Sequence, residues 1–433
     1  VEIDSSASIA SSITINANEG ITTAADVQAS AGTVTLDADV DANDNSGTLT
    51  IGGQLTNTGR AIVIDANDLA LNANLVGGTL VLTDSDGTGI GLGATTVTDG
   101  LNVSGTEVGR MQLATSAEFV TGGNVTVNGI SATNSNPVTA LIIDAVGSVT
   151  FATSASTFNT LTVEADAAVN VNVDLTTDVG ALAIDADDDN NAATGDGRLD
   201  IATGVQLAST TTLTLDATEG GIVFAGTGTL NAEGGITIAN AVTATAGNIT
   251  IDADVGDDGA GTFTNSAAFN AAGRTLDITA GTVDFNGTVA AATLNITDSD
   301  GGGIGLGGTP VSDFQLTGAE LEQVTTTTLM ELITAGGVTV NGITADNSNT
   351  VNTLTIDAVG TILFATGAST FNALTVEADA AVNVNVDLTT DVGGMTVTNA
   401  GTFTTGDAAD LTVANEFVQN GAGANVIGGN LTS

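Results

Sequence analysis

The sequence predicts an all-β chain wound as a parallel β-solenoid. Three observations predict it: a long unit that occurs twice, a short aliphatic alternation that recurs inside it, and a shortage of aromatic side chains. Of 433 residues only 12 are Phe, with no Trp and no Tyr.

The long unit is read directly from the residues. Positions 161–180, LTVEADAAVNVNVDLTTDVG, return without change at 374–393, an offset of 374 − 161 = 213. FATSASTFN at 151–159 returns as FATGASTFN at 364–372, and TDSDGTGIGLG at 83–93 as TDSDGGGIGLG at 297–307. GTVTLDADV at 32–40 matches GNITIDADV at 247–255, an offset of 247 − 32 = 215. The expected organisation is therefore two repeat units, 1–215 and 216–433, in one continuous solenoid.

Inside the unit runs a shorter rhythm: an aliphatic, a Thr or similar residue, a second aliphatic, then an acid. Leu141/Ile143/Asp144, Leu161/Val163/Glu164, Leu182/Ile184/Asp185 and Leu213/Leu215/Asp216 show it. A period of two means a strand with one buried face. The runs beginning at 125, 141, 161, 182, 199 and 213 are 14 to 21 residues apart, the length of one solenoid coil with Gly, Asn, Asp and Ser at its corners. About 20–24 coils, rising about 4.8 Å each, would give a rod on the order of 100 Å long. The structural rival is a β-sandwich, which also has evenly spaced strands but needs hairpin turns and a varied core of large side chains. Ladders of Val, Ile and Leu suit a narrow solenoid interior instead, with Phe151, Phe158, Phe364 and Phe371 as core fillers. A single coil buries too little apolar surface to offset the entropy of ordering its backbone, so the stack is the unit of stability.

One interval breaks the rhythm in both units, between Leu80 and Val125 and between Leu294 and Val338. Each contains the Gly-rich TDSDG segment and then a Ser/Thr-x-x-Glu spacing, Ser104 to Glu107 and Thr317 to Glu320. That spacing fits a capping box, and Ala319, Leu321, Val324, Leu329, Met330 and Leu332 would supply a short helical insertion. The competing reading is an irregular coil with a solvated Glu, and the Thr run at 325–328 weakens a long helix.

Composition removes whole classes of chemistry. Acids number 50 against 4 basic residues, for a net charge of −46, and the chain has no His, no Cys and no Lys. Triads, thiolate nucleophiles, imidazole or thiolate metal sites and Schiff-base lysines are therefore excluded. So strong a negative charge repels phosphate backbones, which argues against nucleic acid as a partner. No apolar run of about 18 residues marks a membrane helix, so no membrane insertion is expected. Disorder is excluded by an apolar fraction of 42% with only 2 Pro. Arg60 and Arg274 occupy matching turns and are expected to pair with carboxylates.

The paired TDSDG segments, followed by SGTEVGRM and TGAELEQV, resemble those of giant, repeat-rich bacterial surface proteins related to filamentous-haemagglutinin-type adhesins. The resemblance implies a right-handed β-helix, an extracellular or bacterial cell-surface location, and a role in adhesion or as a structural fibre. Partners in that reading are further copies of the chain, in a filament or array, or a host, cell-surface or polysaccharide contact.

Carboxylates are the reactive groups left in number. If Asp144, Glu164 and Asp185 close successive coils, they stand about 4.8 Å apart and repel by roughly 0.9 kcal/mol per pair in water. Calcium, hard and tolerant of irregular oxygen sites, is the expected counter-ion. The candidate ligands are Asp84 and Asp86, Asp298 and Asp300 in the Gly-rich segments, and Asp185, Asp187, Asp189 and Asp196, whose spacing partly matches an EF-hand loop. A solvated acidic corner competes with each. Three functions follow: a structural or adhesive element without catalysis, a calcium-stiffened spacer, and a polysaccharide-acting β-helix enzyme using a carboxylate pair. The enzyme lacks support from aromatic sugar platforms, and no catalytic residue is assigned.

Overall fold

A computed structural model describes residues 1–42, 46–191, 197–308 and 314–433. The chain divides into two compact units, Val1–Val223 and Phe224–Ser433, and each is a parallel β-solenoid.

In the first unit a coil consists of three short strands, such as Leu161–Ala165, Ala168–Val171 and Leu175–Thr177. Each strand pairs in register with its equivalents in the neighbouring coils. Leu141, Leu161, Leu182 and Leu213 form one column, and Ile143, Val163, Ile184 and Leu215 a second. Val149, Val169 and Leu199 form another on the next face. In-register parallel pairing places like side chains over one another, and all of these are buried. Where the chain turns a corner the inward position narrows. Ala145, Ala165, Ala186 and Ala217, none of them accessible, occupy it. The Asp-Ala part of the sequence rhythm is thus an outward acid followed by a corner alanine.

The second unit repeats the arrangement. Met330, Leu354, Leu374, Met395 and Phe417 share one column, and Val338, Ile362, Val382 and Phe403 another. Phe151, Phe158, Phe364 and Phe371 are core fillers as expected, each at most 1% exposed.

The interrupted interval holds a strand out of sequence order. Gly89–Gly93 pairs on one side with Asn124–Asn128, the strand of the following coil. On its other side it pairs with Leu101–Val103, which comes later in the chain and lies between it and Asp68–Leu71. The chain therefore winds one level ahead, doubles back, and slips Leu101–Val103 in beneath. The second unit does the same, with Phe314–Leu316 tucked under Ile304–Gly307. Glycine permits this. A Cβ on Gly91 would stand 2.9 Å from Asn102 Oδ1 and 3.1 Å from the Val97 nitrogen, because the returning segment crosses that face.

Gly89 shows the same constraint in its backbone, at φ +135 with a Cβ site 2.5 Å from the Asn124 carbonyl oxygen. Gly89→Ala is therefore expected to destabilise the first unit by about 1–3 kcal/mol. Gly59→Ala, at φ +68 with open space around it, should cost less. Paired denaturant titrations of the two variants check the order, and an equal loss would refute the steric explanation.

Four short helices lie beside the tucked strands: α1 (Gly105–Val108), α2 (Ala132–Ser135), α3 (Gly318–Glu322) and α4 (Ala345–Ser348). Both expected capping boxes are present. Ser104 and Thr317 accept from the backbone of Glu107 and Glu320, whose side chains reach back to the cap nitrogens. Glu107 is not solvated, since its Oε1 also accepts from the Leu71 nitrogen at 3.0 Å. The proposed helical run is too long, however. The helix ends at Glu322, and Val324, Leu329, Met330 and Leu332 belong to an 11-residue strand, Val324–Thr334. Four consecutive threonines, β-branched and stiff at χ1, favour that extension. Helices α2 and α4, capped by Ser131 and Thr344, were not expected.

Arginine pairing also differs from expectation. Arg274 donates to the Thr245 carbonyl at 2.6 Å rather than to an acid, and Arg110 donates to the Leu71 carbonyl. Arg198 pairs with Asp200 at 2.7 Å. Among the described residues no helix is long and apolar enough to cross a membrane.

Candidate functional site: acidic turns and a carboxylate ladder

Asp84 ends the strand Leu75–Asp84 at a column position that Ala66 fills one coil earlier. Alternation from Leu80 and Leu82 points it inward, and it is 3% exposed. Its Oδ2 accepts from the Gly89 nitrogen at 2.8 Å and from Thr121 Oγ1, one coil on, at 2.7 Å. Asp298 is built alike: 4% exposed, with Oδ2 accepting from the Gly303 nitrogen at 2.8 Å and from Thr334 Oγ1 at 2.7 Å. In both, Oδ1 is buried and has no donor.

The partner acids sit just outside. Asp86 Oδ1 accepts from the nitrogen and hydroxyl of Thr88, both at 3.0 Å, and its Oδ2 from Asn67 Nδ2 at 2.8 Å. Asp300 Oδ1 accepts from the Gly302 nitrogen at 2.8 Å. Burial, and then the neighbouring Asp86, push the Asp84 carboxyl up to about 6 against the lowering effect of its two hydrogen bonds. Burial and Asp300 likewise raise Asp298.

Two further buried aspartates, which sequence reasoning did not single out, join these turns. Asp39, 2% exposed, accepts from Ser85 Oγ at 2.6 Å. Asp254, fully buried, accepts from Ser299 Oγ and, at 2.8 Å, from the Gly259 nitrogen. Each also has an Oδ1 without a donor. The signal was in the repeat: Asp39 and Asp254 differ by 254 − 39 = 215, and Ser85 and Ser299 by 299 − 85 = 214.

The EF-hand-like spacing resolves differently. Asp185 faces outward and accepts from the Asp187 nitrogen at 3.1 Å. Asp187 is 1% exposed and turned inward, where its Oδ2 accepts from the Glu219 nitrogen at 2.9 Å. Asp189 is exposed and accepts from the Asn191 nitrogen at 3.0 Å. These three acids cap separate parts of a corner and are not brought together; Asp196 lies outside the described residues. The same Asp-Ala-Asp corner recurs at Asp37/Asp39 and Asp252/Asp254, each first acid accepting from the nitrogen of the second. Among the described residues no three acids gather around a point where a metal would sit.

The outward ladder is present in register. Asp144, Glu164, Asp185 and Asp216 follow one another on adjacent strands. Glu164, Asp185 and Asp216, with Asp188, line a surface groove of about 230 Å³. In the second unit Asp357 and Glu377 are paired in the same way, and with Asp379 they line a groove of about 340 Å³. Partial burial raises the pKa of Asp144, Glu164 and Asp185, and the neighbouring acids raise it further. Such a face accepts hydrogen bonds and attracts cations.

No family model, curated protein or solved structure matches the chain.

Proposed function

We propose that the chain is a non-catalytic structural or adhesive element of a bacterial extracellular surface protein, which associates with further copies into a filament or array. The observation that carries this reading is the building of one module twice. Both units hold the same in-register columns, tucked strand, capped helices and buried aspartates at offsets of 213 to 215 residues. A module that repeats its own coil geometry extends by addition, and an open coil edge is a template for another strand. The resemblance of the TDSDG segments to haemagglutinin-type adhesins supports the surface location. A host, cell-surface or polysaccharide contact would fall on the outward faces. A polysaccharide-acting enzyme is the weaker alternative, because the most strongly perturbed carboxyl, Asp84, is buried in a hydrogen-bonded corner.

Negative-stain electron microscopy with light scattering of the purified chain over a concentration series tests the assembly. Filaments or arrays growing with concentration are expected. Single particles of constant mass throughout the series would overturn it.

A further inference from the structure

We infer that the paired aspartates of the two Gly-rich turns, Asp84 with Asp86 and Asp298 with Asp300, each bind one calcium ion between the buried Oδ1 of the first and the carboxylate of the second. The acidity of the turns alone does not carry this inference. A buried carboxylate oxygen without a donor occurs at the same place in both units, on side chains 3% and 4% exposed. Leaving such an acceptor unsatisfied is costly, and a carboxylate oxygen accepts only from a positive or hydrogen-bonding group.

The surroundings supply no such positive group. The charged group acting on Asp84 is the carboxylate of Asp86, which lies against it, and Asp300 stands in the same relation to Asp298. Arg110 and Arg274 are engaged by backbone carbonyls and Arg198 by Asp200. The second oxygen of each buried acid is fixed by a turn nitrogen and a threonine hydroxyl, so the first is held in place. Asp86 is half-buried and Asp300 exposed, which leaves solvent free to complete an oxygen shell. Calcium accepts that mixture of carboxylate and water in irregular geometry, whereas magnesium demands a near-ideal octahedron and gives up its own water reluctantly. Bound there, the ion ties the end of one strand to the turn that launches the out-of-order strand. This inference concerns the turns and does not depend on assembly.

The test is calorimetric titration of calcium chloride into the full chain, stripped of metal, at about pH 7.5 in excess potassium chloride, which screens diffuse binding to the acidic surface. Two saturable sites per chain are expected. Asp300→Asn should leave one, Asp86→Asn with Asp300→Asn should leave none, and Asp185→Asn on the ladder should leave both. Circular dichroism of each variant verifies that it is folded, and the exposed Asp300→Asn is the least disruptive of them. Absence of saturable sites in the native chain, or sites that survive the double substitution, would overturn the inference. So would carboxyl NMR shifts of Asp84 and Asp298 that respond to pH and not to calcium, since a proton would then be the occupant.

Discussion

Acidifying the metal-free protein from about pH 7 to about pH 4.5 is expected to raise its thermal unfolding midpoint. The cause is the set of carboxyls whose folded-state pKa lies above the unfolded value. Asp84 rises from 3.8 to about 6, and Asp298, Asp144, Glu164, Asp185 and Glu331 rise as well, burial being the first cause in each. Within that window the folded chain binds more protons than the unfolded one. Stability therefore falls as pH rises through it and is recovered as pH drops. A rise of about two units at the buried Asp84 corresponds to about 3 kcal/mol. The half-exposed ladder acids each contribute less, because solvent screens them. Most proteins lose stability over this range because their acids are paired with bases, but this chain has 4 arginines for 50 acids. Melting curves at constant ionic strength in the presence of a chelator check the sign. A midpoint that declines steadily toward pH 4.5 would contradict it. Asp84→Asn with Asp298→Asn should flatten the dependence, because amides do not titrate there.

The second large effect is expected from truncating the core columns. Phe151 lies in register between Val127 and Val171, and Phe364 between Val340 and Val384; neither is accessible to solvent. Phe151→Ala or Phe364→Ala removes a ring from the middle of a column whose backbone is held above and below, so the cavity cannot collapse. Each should cost about 3–5 kcal/mol. Because each unit has its own core, hydrogen exchange should show the loss concentrated in the unit carrying the substitution. A loss below about 1 kcal/mol, or protection lost equally in both units, would refute the column picture.

The coils were legible because a period of two survives wherever a strand has one buried face, and Leu161/Val163/Glu164 states that period without interruption. The corners were not, because there the alternation fails. Asp187 should face water by its distance from Ile184, yet the bend after Ala186 turns it inside. Asp84 is the opposite case: alternation from Leu80 and Leu82 already pointed it inward, and its acidity concealed that signal. The two capping boxes were readable because Ser/Thr-x-x-Glu is a local device. The tucked strand Leu101–Val103 was not, since its place depends on a neighbour earlier in the chain and later in the stack. Val324–Thr334 shows propensity and pattern in conflict, with i, i+3 spacing suggesting a helix and four β-branched threonines deciding for a strand. The carboxylate ladder was foreseen at Asp144, Glu164 and Asp185, and the register adds Asp216.

Vertical alignment of the leucines makes a whole turn the smallest tolerated change in length. Leu141, Leu161 and Leu182 stand in one column, so excising 161–181 would set Leu182 on Leu141 and Ile184 on Ile143 with every later contact intact. Losing a single residue within a strand would instead drive Glu164 or Asp185 into the apolar interior. Recombination between such similar stretches can thus lengthen or shorten the molecule in steps of one winding while each surviving winding keeps its neighbours.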